Sequence, residues 1–127
     1  MANELILIVE DNEKNRKLAR DVLQFKGYRT VEAATGEDGV TLALQHKPDL
    51  ILMDYQLPGI DGIEAFRRIR GDASTAHIPI MAVTASAMPE EAKKMKEAGF
   101  DGFQTKPINV KSFVQAVADA LSAKSAK

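Results

Sequence analysis

The chain has 127 residues, 45% of them hydrophobic, which is enough for one domain with an apolar core. It contains no cysteine, so disulfide bonds, thiolate catalysis and cysteine-ligated zinc are excluded. With a net charge of −1, no Lys/Arg-rich run, no signal peptide and no membrane-length apolar run, the sequence predicts a cytoplasmic protein without a nucleic acid or membrane partner.

The first predicted strand is residues 5–9, an apolar run rich in β-branched side chains that is typical of a central strand. A helix should follow, with Asn12 as its N-cap and Gly27 at its end. The apolar residues of this helix recur at helical spacing and should face the core: Leu18, Val22 and Phe25 on one side, with Ala19 and Leu23 beside them.

The second strand and helix are more polar than the first pair. Residues 28–34 alternate between apolar and polar side chains, which predicts a half-exposed strand. Residues 35–38 resemble a capping box with Asp in place of Glu, so a helix should begin there and end before Pro48. Its inward residues should be Val40, Ala43 and Leu44.

The third strand is the most informative stretch, because the unbroken apolar run of residues 50–53 leads directly into Asp54. A buried parallel strand delivers a carboxylate to the rim of a sheet in this way. Judged on this segment alone, capping a turn would be the commoner role for Asp54. Asp61 then predicts the start of a third helix, whose inward residues should be Ile63, Phe66 and Ile69.

Two further strand–helix pairs complete the chain. Residues 78–83 should form a fourth strand that ends at Thr84, and Pro89 fits the first turn of the next helix. Residues 100–105 should form a short polar strand that leads to Lys106. The inward residues of the fourth helix should be Ala92, Met95 and Ala98.

The last helix should be capped by Asn109, and residues 122–127 should fray. We therefore expect one domain over residues 1–122 and a frayed C-terminal tail over residues 123–127. The apolar residues at helical spacing in the last helix are Val110, Phe113, Val117 and Leu121.

Strands and helices alternate five times, which predicts an α/β fold with helices on both faces of a parallel sheet. The first, third and fourth strands are apolar throughout and should lie inside the sheet, whereas the mixed second and fifth should be edges. This distribution fits a five-stranded parallel sheet in the flavodoxin-like order 2-1-3-4-5. Ligands of such sheets bind at the carboxyl ends of the strands.

Chemically active side chains follow the strands at that end of the sheet: Glu10, Asp11, Asp54, Thr84 and Lys106. Carboxylates crowded at neighbouring strand ends would raise one another's pKa, and a hard divalent cation would remove that conflict. An all-oxygen ligand set without His or Cys suits Mg²⁺ better than zinc or a closed calcium cage.

The same residues suit phosphoryl chemistry. A phosphoryl group on Asp54 would present three acceptor oxygens, and Mg²⁺, the Lys106 ammonium and the Thr84 hydroxyl could each take one. The small residues Ala85 and Ala87 leave room for a donor molecule. Each residue alone is more often structural than functional, but their joint position at the ends of one predicted sheet indicates a site.

In these positions the sequence resembles the response-regulator receiver domain of two-component signalling over nearly its whole length. The resemblance implies that Asp54 accepts phosphate from a phosphohistidine on a histidine kinase or a phosphotransfer protein. It also implies Mg²⁺ bound by Asp11, Asp54 and the Gln56 carbonyl, with Glu10 acting partly through water. The motifs that carry it are Glu10–Asp11, Asp54, Thr84–Ala85 and Lys106–Pro107.

The family resemblance further implies a switch in which the Thr84 hydroxyl moves to the phosphoryl group and the Phe103 ring turns inward. The face of the fourth helix, fifth strand and fifth helix would then change its contacts with a downstream protein target. The peptide bond before Pro107 is cis in the family. Two features depart from the family pattern, because Phe103 lacks a tyrosine hydroxyl and Glu10 stands where Asp is commoner.

Three short runs look closest to the DivK-like single-domain regulators of cell polarity and division. In a phosphorylation switch, whichever regulator it resembles most, the phosphate donor would dock near the first helix, at Asn15 and Leu18, and near the Pro107 loop. The runs are Val9–Asn12, His77–Pro79 and Thr84–Met88.

An adaptor and an enzyme on a similar sheet are the alternatives to a phosphorylation switch. An adaptor that works without phosphorylation would have no need of the acids, Thr84 and Lys106. A flavin protein would need a phosphate-binding loop where Glu10 and Asp11 would repel phosphate, and an aspartyl phosphatase would need a second acid at the position of Gln56. We therefore expect that the protein is not an enzyme acting on other substrates and that it promotes only its own phosphorylation and dephosphorylation.

Overall fold

One sheet of five parallel strands runs through the molecule in the order β2-β1-β3-β4-β5, which confirms the predicted order. The strands are β1 (Leu5–Val9), β2 (Arg29–Ala33), β3 (Leu50–Asp54), β4 (Ile80–Thr84) and β5 (Gly102–Thr105). The helices are α1 (Glu13–Phe25), α2 (Gly36–His46), α3 (Gly62–Arg70), α4 (Pro89–Ala98) and α5 (Val110–Ser125).

This computed structural model describes residues 4–55, 57, 59–60, 62–84, 89–105 and 109–125, and for residues 91 and 123–125 it describes the backbone only. Within that part of the chain, no helix has the length and apolar character needed to cross a membrane.

Both faces of the sheet are covered by helices. Side chains alternate along each strand, so Leu7 and Ile51 lie in one apolar cluster with α2, α3 and α4, whereas Ile6 and Leu52 lie in another with α1 and α5. Burial on both faces explains why β1 is apolar throughout and why β3 and β4 are apolar up to their last residues, Asp54 and Thr84. The edge strands β2 and β5 are only partly buried, as their mixed sequences predict.

Polar side chains fix the starts of three helices. Asn12 accepts a hydrogen bond from the Asn15 amide at 3.0 Å. Asn109 accepts one from Ser112 at 3.1 Å, and both N-caps are therefore confirmed. Thr35 likewise accepts one from the Asp38 amide at 3.1 Å, at the start of α2. The predicted cap Asp61 lies outside the described residues.

The predicted inward face of α1 is wrong in part. Ala19 and Leu23 are buried, but Leu18 is exposed and Phe25 is 86% exposed. Helix α1 packs over β1 and β2 at the edge of the sheet, where only one stripe of the helix meets the strands. Each residue turns a helix by about 100°, so Leu18 and Phe25 point away from the stripe that Ala19 and Leu23 occupy.

The inward faces of the later helices follow the prediction with one exception. Val110 is exposed, because it is the first residue of α5 and lies before the turns that cover the sheet. The other predicted inward residues are buried or partly buried: Val40, Ala43 and Leu44 in α2; Ile63, Phe66 and Ile69 in α3; Ala92, Met95 and Ala98 in α4; and Phe113, Val117 and Leu121 in α5.

Several element boundaries differ from the predicted ones by two to four residues. Strand β4 begins at Ile80, because Pro79 has no N–H to donate, although the Pro79 carbonyl accepts a hydrogen bond from Ile51 at 3.0 Å. Strand β5 begins at Gly102, two residues after the predicted start. Helix α5 extends to Ser125, beyond the point at which the sequence predicts fraying.

Candidate functional site

Three carboxylates meet where β1 and β3 end. The two strands are neighbours in register, with Val9 opposite Met53, so the residues that follow or end them lie side by side. Glu10, Asp11 and Asp54 each offer one oxygen, and these oxygens lie within 4.8 Å of one another. Glu10 and Asp54 are buried, whereas Asp11 is exposed. The predicted acidic cluster is therefore present.

The geometry of this cluster suits a small hard cation. Three carboxylates this close repel one another unless positive charge is supplied. Mg²⁺ binds oxygen at roughly 2.1 Å in an octahedron, so its oxygen ligands are separated by roughly 3 to 4 Å. The three cluster oxygens all lie within 4.8 Å of one another, a bound that accommodates this spacing. The acidic cluster could therefore hold a metal ion after small side-chain movements.

The turn that carries two of these acids is held by several hydrogen bonds. The Asn12 amide donates to Glu10 Oε2 at 3.1 Å, and Arg16 Nη1 donates to the Glu10 carbonyl oxygen at 2.9 Å. Arg16 also forms an ion pair with Glu32 of β2 at 3.3 Å. Arg20 binds the same carboxylate at 3.2 Å, and its hydrogen bond and attraction to Glu32 raise the pKa of the Arg20 guanidinium.

Arg16 is a residue that sequence reasoning missed. The sequence shows only that Arg16, one of several cations in the first helix, follows Asp11 by five residues. Recognising its role would have required aligning the polar face of α1 with the half-polar strand β2, which contains Glu32.

Thr84 lies beside the acidic cluster, on the strand next to Asp54. In the register of β3 and β4, Asp54 lies opposite Val83, and Thr84 is the following residue. Thr84 is fully buried and lies opposite Thr105 of β5. The predicted hydroxyl is therefore at the same end of the sheet as the three carboxylates.

Phe103 lies on β5 opposite Ala82, and its side chain is 40% exposed. It is thus on the strand adjacent to Thr84 and open to solvent. Lys106, Gln56 and the Lys106–Pro107 peptide bond lie outside the described residues, as do Ala85 and Ala87, so their predicted roles stay predictions.

Gly62 packs directly against the strand end that carries Asp54. Its amide donates to the Tyr55 carbonyl at 3.2 Å, which places the first turn of α3 on the backbone of residues 54–55. A Cβ at this position would lie 2.6 Å from the Asp54 carbonyl oxygen and 2.9 Å from the Tyr55 Cα. Because both contacts are with backbone, no side-chain rotation could relieve them.

Replacing Gly62 with alanine should therefore lower the free energy of unfolding by about 1 to 3 kcal/mol, despite the better helix propensity of alanine. Urea unfolding monitored by circular dichroism would measure the change. Gly102→Ala is the matched control, because a Cβ on Gly102 meets nothing within 4 Å. Equal stabilities of the two variants would contradict the packing argument.

Comparisons with known proteins agree with this architecture. The family described as the response regulator receiver domain matches residues 6–118. The polar-differentiation response regulator DivK of Brucella anthropi is 41% identical over 112 residues, which cover 88% of this chain and 91% of that protein.

Two solved structures are similar in fold. The receiver domain of a sensor histidine kinase from Pseudomonas aeruginosa has a TM-score of 0.88 and 32% identity, over 94% of this chain and 98% of that one. That structure has a magnesium ion coordinated in its active site cleft. The chemotaxis protein CheY4 of Vibrio cholerae has a TM-score of 0.88 and 25% identity, over 93% and 98% of the two chains.

The family match spans most of the chain, and it includes all three carboxylates and Thr84. The similarity to DivK extends over nearly the same length. The chain therefore belongs to the response regulator receiver domain family of two-component signalling, and among its relatives it resembles the DivK regulators.

Proposed function

We propose that this protein is a phosphorylation switch in which Asp54 accepts a phosphoryl group from a phosphohistidine on a histidine kinase or a histidine phosphotransfer protein. The observation that carries the proposal is the placement of Asp54. Asp54 ends the central strand β3 and is only 3% exposed, and one of its carboxylate oxygens lies within 4.8 Å of an oxygen of Glu10 and of Asp11.

Mg²⁺ would be held by Glu10, Asp11, Asp54 and the backbone carbonyl of Gln56. When bound, it would supply the positive charge that offsets the crowded carboxylates and the oxygens of an incoming phosphoryl group. Support for this assignment comes from the donor set, which contains only oxygen among the described residues.

The chain's own groups have separate roles in the transfer. A carboxylate oxygen of Asp54 would form the new bond to phosphorus while the bond to the donor's imidazole nitrogen breaks, and the imidazole would leave with the electron pair. The Thr84 hydroxyl and the Lys106 ammonium would donate hydrogen bonds to the phosphoryl oxygens. Water would later hydrolyse the acyl phosphate, so the protein would promote only its own phosphorylation and dephosphorylation.

The output would be a change in protein binding on the face formed by α4, β5 and α5. A groove of about 520 Å³ lies between α4 and β5, and its lining includes Ala92, Lys96 and Phe103. If Thr84 moved toward the phosphoryl group and the Phe103 ring turned inward, this groove would lose one of its walls. Phosphorylation would thereby shift the equilibrium between two conformations of the surface that a downstream protein contacts.

The proposal is tested by incubating the protein with phosphoramidate, with and without Mg²⁺, and measuring its intact mass. We expect the mass of one phosphoryl group to be added in Mg²⁺ and not in EDTA, and to be removed by hydroxylamine, which cleaves acyl phosphates. Failure to label, or labelling that survives hydroxylamine, would overturn the proposal.

A phosphorylation-independent adaptor would behave differently toward beryllofluoride, a mimic of the phosphoryl group. The switch should bind beryllofluoride only in the presence of Mg²⁺, and the NMR signals of residues on β5, such as Phe103, should shift. An adaptor should give the same spectrum with and without the mimic.

A further inference from the structure

We infer that Arg16 is a positioning residue for metal binding, holding the turn that presents Glu10 and Asp11 to the cation. This inference rests on the proposed function, because it concerns the same metal site. Arg16 does not belong to the acidic cluster and would not contact the metal or the phosphoryl group. Its action would be exerted through the backbone of the turn at residues 10–12.

The geometry of Arg16 joins three parts of the chain. Its Nη1 donates to the Glu10 carbonyl oxygen at 2.9 Å, and its Nε lies 3.3 Å from Glu32 Oε1 on β2. Its own amide donates to the Asn12 carbonyl oxygen at 2.9 Å. Arg16 therefore forms hydrogen bonds with both ends of the turn, and its side chain is held in place by the ion pair with Glu32 of β2.

The hydrogen bond from Arg16 to the Glu10 carbonyl oxygen is the contact that would affect the metal ligands. It belongs to the peptide unit that links Glu10 to Asp11, so fixing it restrains the direction in which both carboxylates leave the backbone. Asp11 is exposed and has little packing of its own to orient it. Groups that orient metal ligands in this way typically change metal affinity by about 10- to 100-fold when removed.

Arg20 provides an internal comparison on the same helix. Like Arg16, it is one turn or more into α1 and pairs with Glu32, at 3.2 Å. Within the described part of the chain, its hydrogen bonds go to Glu32 and Asp21 and not to the turn at residues 10–12. Removing either arginine costs the same unit of charge and one ion pair with Glu32, but only Arg16 touches the turn.

A purely electrostatic role for Arg16 would have the opposite sign. A cation beside an acidic cluster opposes the binding of a second cation, so losing its charge alone would tighten Mg²⁺ binding. Loss of positioning would weaken binding instead. The direction of the change in Mg²⁺ affinity therefore separates the two roles.

The experiment is calorimetric titration of Mg²⁺ into the full chain and its variants, with thermal unfolding measured on each. We expect Arg16→Ala to raise the Kd for Mg²⁺ about tenfold or more, and Arg20→Ala to change it less than about twofold. Arg16→Lys keeps the charge and much of the stem but lacks the planar fork that reaches Glu10 and Glu32 together, so its Kd should also rise.

The outcomes distinguish this inference from the proposed function. If the unaltered protein fails to bind Mg²⁺, both are overturned. If it binds Mg²⁺ but Arg16→Ala matches Arg20→Ala, or binds more tightly than the unaltered protein, only the positioning role is overturned. Should Arg16→Ala fail to fold, Arg16→Lys decides, and an unchanged Kd in that variant rejects the role.

Discussion

Asp54→Asn should abolish phosphoryl incorporation from phosphoramidate in Mg²⁺. The amide has nearly the same shape as the carboxylate and should fit the end of β3, but it is a poor nucleophile and carries no charge to attract a cation. Asp54 is buried beside Glu10 and Asp11, so the substitution removes the acid that ends β3 and leaves the other two acids of the cluster in place. Intact-mass measurement after a fixed incubation would reveal the loss.

The control for this substitution is Glu37→Gln, which also converts an acid to an amide near the site. Glu37 lies beside the loop after β3, where a Cβ on Gly59 would meet its Oε2 at 2.7 Å, but it is outside the acidic cluster. We expect Glu37→Gln to label like the unaltered protein. Full labelling of Asp54→Asn would show that another residue accepts the phosphoryl group.

The sheet could be predicted from the sequence because its order is set by burial. Strands that are covered on both faces are apolar along their buried length, as β1 is and as β3 is up to Asp54, whereas edge strands tolerate alternation. Once the order is known, the carboxyl ends of β1 and β3 must be neighbours. The meeting of Asp11 and Asp54 therefore followed from the strand pattern alone, before any side chain was placed.

The errors on α1 and the unpredicted contacts of Arg16 have one common cause. Helical spacing gives several stripes that could face the sheet, and the one that does depends on where the helix lies across the strands. Here α1 covers the edge at β2, which turns Ala19 inward, leaves Phe25 outside and brings Arg16 against Glu32. A pattern within one helix contains no information on that tertiary placement.

The same cluster that would serve function should also limit stability. Two carboxylates about 5 Å apart in water repel by about 1 kcal/mol, and a group of three contains three such pairs. A bound cation would reverse this cost, because a ligand that binds only the folded state stabilises it in proportion to its saturation. Metal binding and fold stability are therefore expected to be linked at Asp11.

Asp11→Asn should therefore raise the free energy of unfolding when Mg²⁺ is absent and lower it when Mg²⁺ is present. Without the metal, the variant should be more stable than the unaltered protein by about 1 kcal/mol, because Asp11 is exposed and its repulsion is partly screened. The loss of a direct ligand should weaken Mg²⁺ binding at least about 100-fold, the upper range for groups that only orient ligands. At a Mg²⁺ concentration of about 100 times the Kd of the unaltered protein, that protein gains about 2.7 kcal/mol, whereas the variant gains at most about 0.4 kcal/mol.

Urea unfolding of both proteins in EDTA and in Mg²⁺ would show whether the order of their free energies of unfolding reverses. Glu13→Gln is the control, since Glu13 is an exposed acid two residues away, in the first turn of α1 and outside the acidic cluster. Its carboxylate interacts favourably with the helix dipole, so its loss should destabilise the fold by about 0.3 to 1 kcal/mol with or without Mg²⁺. If Asp11→Asn behaved like Glu13→Gln in both conditions, Asp11 would be an ordinary surface acid, because neither its repulsion nor its metal binding would contribute to stability.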